Sequence, residues 1–541
     1  MKALFEKSRI LALIIALAIL LSFAACSAAP EMNEDFENNF SPEMSEGVLE
    51  DKDEAADAPE YDYEVGLPDA EEPGVNEKPG DEVIGDEGNE IPDDVQKPSF
   101  VENPFISTQE NNTSTFSADV DTASYTYFRK MIGRGYTFEQ LMNAGASFRT
   151  EEFINYFRYD VEYPGENELF GVKTELSACP WNEENLIFRL TLQAEQAVND
   201  GGNNLVFLID VSGSMSSDDK LPLLKKAFSY LVSNLDRDDT VSIVTYSGKE
   251  AVVLDGANGI ETDEIMNAIN SLKASGSTNG EAGLTMAYQI AEKHFKPEGN
   301  NRIIMASDGD LNVGISSADD LKTYIEEKRD QGVYLSVLGF GTGNYQDARM
   351  EALADNGNGV YYYIDGETEA EKVFGTDLVG TLYTVAEDVK LQLEFNSERI
   401  ESYRLIGYEN RKMANEDFEN DKKDAGEVGA SHQVTVCYEI KPITENCEAD
   451  MEKPYITLRV RYKNPGEELS LLNEYTISDS VSDMSDDQRF ILSVVQLCML
   501  LHKSEYIGDA TLEGVIAELD ALTLTDSYKV EFRELLHSLA E

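Results

Sequence analysis

The chain has 541 residues, 41% of them hydrophobic, enough for two or three domains with cores of their own. Asp and Glu number 104 against 43 Lys and Arg, a formal charge of −61. Such a chain is repelled by nucleic acid and attracts cations, and no basic stripe reverses this locally, so no nucleic-acid partner is expected.

At the N-terminus Lys2, Lys7 and Arg9 flank the start of an apolar run, Ile10–Leu21, and the small residues of SFAACSAAP follow. This is the pattern of an export signal. Cys26, directly after Ala24 and Ala25, resembles a bacterial lipobox cysteine, which becomes the lipidated first residue of the mature protein. Residues 1–26 are therefore expected to be a lipoprotein signal peptide, with the protein exported and lipid-anchored on the extracytoplasmic face of the membrane. The plainer alternative is an ordinary cleaved signal with a chance cysteine. No later stretch has about 18 consecutive apolar residues, the length a spanning helix needs. Residues 27–105 hold 26 acidic and 3 basic residues with repeated Pro and Gly. Low hydrophobicity and like charge predict a disordered, extended acidic linker.

Residues 106–200 are expected to form an N-terminal helical and β region. Tyr125, Phe128, Met131 and Ile132 recur at helical spacing, as do Phe153, Tyr156 and Phe157, and are read as core. FGVKTELSACPW and NLIFRLTLQA alternate like strands, with Trp181 between them.

Over residues 201–388 continuous apolar strands alternate with amphipathic helices. The pattern predicts an α/β domain, a doubly wound parallel sheet with helices on both faces. Ligands of such sheets bind beyond the carboxyl ends of the strands. Asp210 ends the strand NLVFLID and is followed by Ser212 and Ser214; Asp308 ends RIIMASD; Thr278 lies in the turn SGSTNG before a helix. Three distant segments thus carry oxygen side chains to one sheet edge, without His or Cys. All-oxygen ligation favours a hard divalent cation, Mg²⁺ first, with Mn²⁺ or Ca²⁺ as alternatives. Hydroxyl ligands are neutral, so the ion keeps positive charge for a carboxylate from elsewhere. The competing reading is a set of helix caps.

These residues, Asp210-x-Ser212-x-Ser214 with Thr278 and Asp308, resemble the metal-ion-dependent adhesion site of von Willebrand factor type A domains, which have a Rossmann-like fold. The resemblance implies that Ser212 and Ser214 touch the metal directly, and Asp210, Thr278 and Asp308 directly or through water. SDGDLNVG and GSTNG are similar to the bacterial branch. STFSADVDTASY, EEFINYF and ACPWN resemble the region preceding this domain in a group of bacterial surface lipoproteins, and YRLIGYENRKMANEDFENDKKDAGEVGASH resembles their uncharacterised C-terminal region.

Residues 389–541 are expected to hold alternating antiparallel strands and then amphipathic helices. The charged stretch from Glu409 to Glu427 is read as a solvated loop. The strand sets at 168–197 and 389–463 each lack a covered face, so they are expected to combine into one β-sandwich, with the 201–388 domain inserted through two adjacent connections. Cys437 and Cys447 are close enough in sequence to pair across a hairpin outside the cytoplasm, and Cys498, on an apolar helical face, is expected buried and free.

The expected function is binding. The metal captures an acidic group of a protein or glycan partner, from a membrane-anchored position in the cell envelope. An enzyme is not expected, because the four His residues are scattered and Asp310 is the single proton acceptor that can be named for a metal-assisted hydrolase. A structural or assembly role, with the metal stabilising the fold, is the main alternative.

Overall fold

The computed structural model describes residues 100–166, 168–196, 201–276, 280–309, 318–341, 347–443, 454–478 and 480–540. Cys26, the acidic linker up to residue 99, Thr278, Asp310 and Cys447 lie outside these residues.

In chain order, β1 (Ile106–Ser107) and β2 (Thr113–Ser117) precede the helices Ala123–Gly133, Phe138–Asn143 and Thr150–Asn155. A hairpin follows, β3 (Phe170–Ala178) and β4 (Leu186–Ala194). The central domain contributes β5 (Asn203–Asp210), β6 (Thr240–Tyr246), β7 (Ala251–Asn258), β8 (Asn300–Ser307), β9 (Tyr334–Phe340) and β10 (Tyr361–Ile364). Then come β11 (Thr384–Phe395), β12 (Ile400–Ile406), β13 (Gly426–Gly429), β14 (Gln433–Pro442), β15 (Ile456–Lys463) and β16 (Leu471–Ile477). The helices Asp486–His502, Leu512–Asp520 and Ser527–Ala540 end the chain.

The central sheet has the order β10-β9-β8-β5-β6-β7. Every residue of β5 is buried, and alternate side chains serve opposite faces. Leu205, Phe207 and Ile209 pack with Leu224 and Phe228 of the Leu221–Val232 helix, while Val206 and Leu208 pack with Leu284, Tyr288 and Ile325. Helices on both faces agree with the doubly wound expectation. One strand departs from it: β7 runs antiparallel to β6. Only residues 247–250 separate the two strands. A parallel return needs a crossover of about a dozen residues, so the short link makes a hairpin.

The flanking strands do combine. One sheet has the order β1-β12-β14-β4-β3; the other has β13-β11-β15-β16, with β2 also paired to β11. Strand β4, before the central domain, pairs with β14, after it, with Leu190 opposite Val436. The two sheets share a core in which Phe395 stacks on Tyr403 and Phe170 meets Tyr462 edge-on. The outer face of the first sheet, with Ile187, Ile406 and Cys437, carries a helical layer built from both ends of the chain. Tyr125, Phe128, Phe153, Phe157, Phe490 and Phe532 pack there, so the aromatics read as core are core. The Cys437 thiol is buried in this layer, and burial pushes it up to about 12.

Entry to and exit from the central domain are stapled to one turn. The amide of Ala194 donates to the His432 carbonyl (2.9 Å), Ser431 N–H donates to the Glu195 carbonyl (2.8 Å), and Ala430 N–H donates to the Tyr383 carbonyl (2.8 Å). His432 is buried against Gly380, where a Cβ would lie 2.4 Å from Nε2. Burial, helped by the Arg158 charge, pushes its imidazole down to about 3. A folded-state value below the unfolded ~6.5 gives stability that is present at neutral pH. That stability is lost as pH falls from about 6.5 toward 3. Replacing His432 with Gln should therefore shrink the fall in thermal midpoint between pH 7 and pH 5; an unchanged fall would assign the acid sensitivity to other groups.

The stretch from Glu409 to Glu427 is a solvated excursion only in part: residues 414–416 and 422–424 are exposed, while Arg411, Phe418 and Glu427 turn inward. Arg411 turns inward and meets Asp119 (3.1 Å), Glu351 (2.8 Å), Asp355 (3.1 Å) and, more loosely, Asp121 (3.6 Å). Asp119 and Asp121 belong to the segment after β2, and Glu351 and Asp355 to the Asp347–Asn356 helix of the central domain. Arg149 joins from a third element, 2.7 Å from Glu351. Phe418 is buried as well. Charge runs read as surface when their partners lie far away in the chain, here 56 to 292 residues.

The last helical stretch of the central domain is broken. A helix at Glu367–Glu371 passes into a π-type turn at Lys372–Thr376, and a short helix at Leu378–Leu382 runs into β11. Extra-residue turns of this kind widen a helix locally. Here the turn carries Lys372 to Asp377 (2.7 Å), and Arg158 reaches the same carboxylate (3.1 Å). One turn earlier, Arg129 of the N-terminal helix holds Asp365 (2.6 Å) and Glu369 (2.8 Å).

Candidate metal centre

The sequence places a fully buried carboxylate where β5 stops. Asp210 Oδ1 accepts the Ser212 N–H at 2.8 Å, which folds the chain back over the strand end. Gly213–Ser216 then make one 3₁₀ turn. The Ser212 and Ser214 hydroxyls converge to 2.9 Å, Ser212 buried and Ser214 exposed, so the pair opens toward solvent on one side.

A second loop is tied to this one by backbone bonds. Gly213 N–H donates to the Gly276 carbonyl (3.0 Å) and Ser275 N–H to the Val211 carbonyl (2.7 Å). Gly276 adopts φ +86°, a conformation that costs glycine little. These bonds bring the chain leading to Thr278 up to the serines; Thr278 itself lies outside the described residues.

Asp308, directly after β8, supplies the second carboxylate and is buried. Strands β5 and β8 are parallel neighbours, with Ile209 opposite Ala306, so their carboxyl ends deliver Asp210 and Asp308 to the same edge. Lys220 Nζ donates to Asp308 Oδ2 at 2.8 Å and to the Ser214 carbonyl at 2.9 Å. Beneath, the buried Tyr246 phenol is pushed well up by burial and by the Asp210 charge, so it stays neutral.

Of the five residues expected at the metal, the structure thus brings Asp210, Ser212, Ser214 and Asp308 to one edge. The set is oxygen-only, with two carboxylates and two hydroxyls, and it already accommodates one cationic group. This suits a hard divalent ion that keeps waters or takes a ligand from outside. Among the described residues no three His, Cys, Asp or Glu side chains group in a way that could hold a metal. Bound there, the ion would supply Lewis-acid attraction for an anionic oxygen.

The histidines are occupied elsewhere: His294 with Asp255 (2.8 Å), His502 with the Phe148 carbonyl (2.9 Å), His537 with Asp520 (3.0 Å), and His432 in the stapled turn. Sequence reasoning missed Lys220 and the Ser275–Gly276 backbone staple. The lysine was visible as a lone cation six residues past Ser214, but its partner Asp308 is 88 residues away.

The family description "von Willebrand factor type A domain" matches residues 204–376, a "von Willebrand factor" description matches 94–189, and "Uncharacterized protein YfbK, C-terminal" matches 380–541. The chain is 37% identical over 439 residues to the uncharacterized protein YfbK of Escherichia coli, covering 77% of this chain and 76% of that one. It is 28% identical over 278 residues to inter-alpha-trypsin inhibitor heavy chain H3 of Pongo abelii, where it spans 30% of the relative. Among solved structures, a von Willebrand factor type A protein from Catenulispora acidiphila matches with 17% identity and a TM-score of 0.37, over 63% of this chain and 80% of that one. The ArnB paralog VWA2 from Sulfolobus acidocaldarius matches with 18% identity and a TM-score of 0.35, over 69% and 97%. Von Willebrand factor type A domains typically bind a divalent cation, and the domain is compatible with metal-dependent adhesion or protein binding.

Proposed function

Because the chain belongs to the YfbK family of bacterial von Willebrand factor type A proteins, we propose that it is a binding protein of the cell envelope. Its divalent ion, Mg²⁺ first among the candidates, captures a carboxylate of a protein or glycan partner. The observation that carries this reading is the convergence of Asp210, Ser212, Ser214 and Asp308 at one sheet edge, with an exposed hydroxyl at its mouth. Two carboxylates offset a divalent ion only if nothing else positive is near, and Lys220 is near. The loaded site therefore keeps positive charge, and an acidic ligand completes it. Asp310, the proton acceptor the sequence offers a metal-assisted hydrolase, lies outside the described residues.

The sequence of the first 26 residues supports an anchor at Cys26, and the acidic stretch after it supports a spacer between lipid and folded body. Among the described residues no helix is long and apolar enough to cross a membrane. One experiment tests anchor and capture together. Cys26→Ser should convert a protein that partitions into detergent into one that stays in the aqueous phase. That soluble form, immobilised, should retain a partner from envelope extract in Mg²⁺ and release it in EDTA. Unchanged detergent partition overturns the anchor; retention indifferent to EDTA overturns metal-dependent capture.

A further inference from the structure

Lys220 touches the metal edge from within the protein. Its ammonium lies 2.8 Å from Asp308 Oδ2, with the two side chains only 13% and 3% exposed, and 2.9 Å from the Ser214 carbonyl. The contact is built in. The lysine stem runs across Gly341, where a Cβ would fall 2.2 Å from Lys220 Cε, so the missing side chain at 341 makes the track along which the stem reaches the site. Gly341 has φ +75°, a conformation that already favours glycine there.

Asp308 therefore faces two claimants, a tethered ammonium and a divalent ion. Both are cations, and in a largely buried site their repulsion is weakly screened. An ion entering beside Ser212 and Ser214 either moves the lysine off Asp308 or shares the carboxylate with it, and each course weakens the hold on the ion. We propose that Lys220 is an internal competitor for the metal, which lowers the affinity of the empty-handed site for divalent ions and leaves the loaded site in demand of a carboxylate from a partner. The inference rests on the metal reading of this edge and deepens it: occupancy by the ion and capture of an acidic ligand become mutually supporting, because the ligand supplies the negative charge that Lys220 withholds.

The test is calorimetric titration with Mn²⁺ or Mg²⁺ alone, on the full soluble chain. Lys220→Met should bind the ion about tenfold or more tightly than the natural protein. Lys220→Arg, which keeps the charge, should stay near the natural affinity. Lys220→Gln gives a second neutral variant should the methionine form fail to fold, judged by circular dichroism. The inference is overturned if the neutral variants bind with unchanged or weaker affinity, or if Lys220→Arg tightens as much as they do. Ion binding that survives Ser212→Ala with Ser214→Ala, Lys220 being kept, overturns the metal reading itself, and the competition with it.

Discussion

Removing both hydroxyls, Ser212→Ala with Ser214→Ala, should weaken divalent-ion binding by more than about 100-fold while the protein stays folded. Loss of even an outer partner of a metal site costs about 10–100-fold in affinity, and these two are the expected direct ligands. The fold should survive because the serines hold little else through their side chains. The bond to Asp210 uses the Ser212 backbone N–H, which alanine keeps, and the loop is tied down by Gly213 and Ser275 amides. What is lost is the 2.9 Å contact between the hydroxyls, about 1 kcal/mol of stability. Calorimetry with Mg²⁺ beside a thermal melt checks both halves. Unchanged affinity would refute the site, and a collapsed melt would make the serines structural.

The second large effect is expected at Arg411. Arg411→Ala should cost about 3–5 kcal/mol, the usual result of stranding buried charge. Its guanidinium sits among Asp119, Asp121, Glu351 and Asp355, and Arg149 is the other cation in the group. Without it, Asp119 and Asp121 from the segment after β2 face Asp355 of the central-domain helix with no arginine between them, while Glu351 keeps Arg149. Burial, with the Asp119 charge next, already holds the Asp121 carboxyl well above its usual range. Loss of Arg411 should therefore separate the unfolding of the central domain from that of the sandwich, seen in calorimetry as a broadened or split transition. A single unshifted transition would show that the junction is held by other contacts.

Much of this architecture was legible in the sequence, for reasons that can be named. Strand–helix alternation is a local pattern, and Asp210 and Asp308 each mark a strand end that is apolar up to the carboxylate. The sandwich followed from counting strands with no covered face. What stayed hidden depends on pairing across the chain. Nothing near Arg411 in the sequence announces four carboxylates, and nothing near Asp119 announces an arginine 292 residues away. Composition therefore suggested solvent where the fold has a clamp. The antiparallel β7 is legible in the link at 247–250, which is too short for a crossover.

The stapled turn at Ala430–His432 has a consequence for how the chain assembles. Thr191 of β4 and Thr435 of β14 are 244 residues apart, yet their side chains meet at 3.2 Å in one sheet. Closing a flexible loop of that length is entropically costly, and pairings so distant slow folding. A central domain that folds first removes the difficulty. Its two ends then emerge side by side at the turn, and the effective loop shrinks to a few residues. β3 and β4 precede the insert in the chain and β14 follows it, so the hairpin keeps an open edge until the insert has folded. The order of events is built into the connectivity: the inserted domain acts as its own host's folding template, and a variant that delays its folding should leave the sandwich half-made even though every sandwich residue is intact.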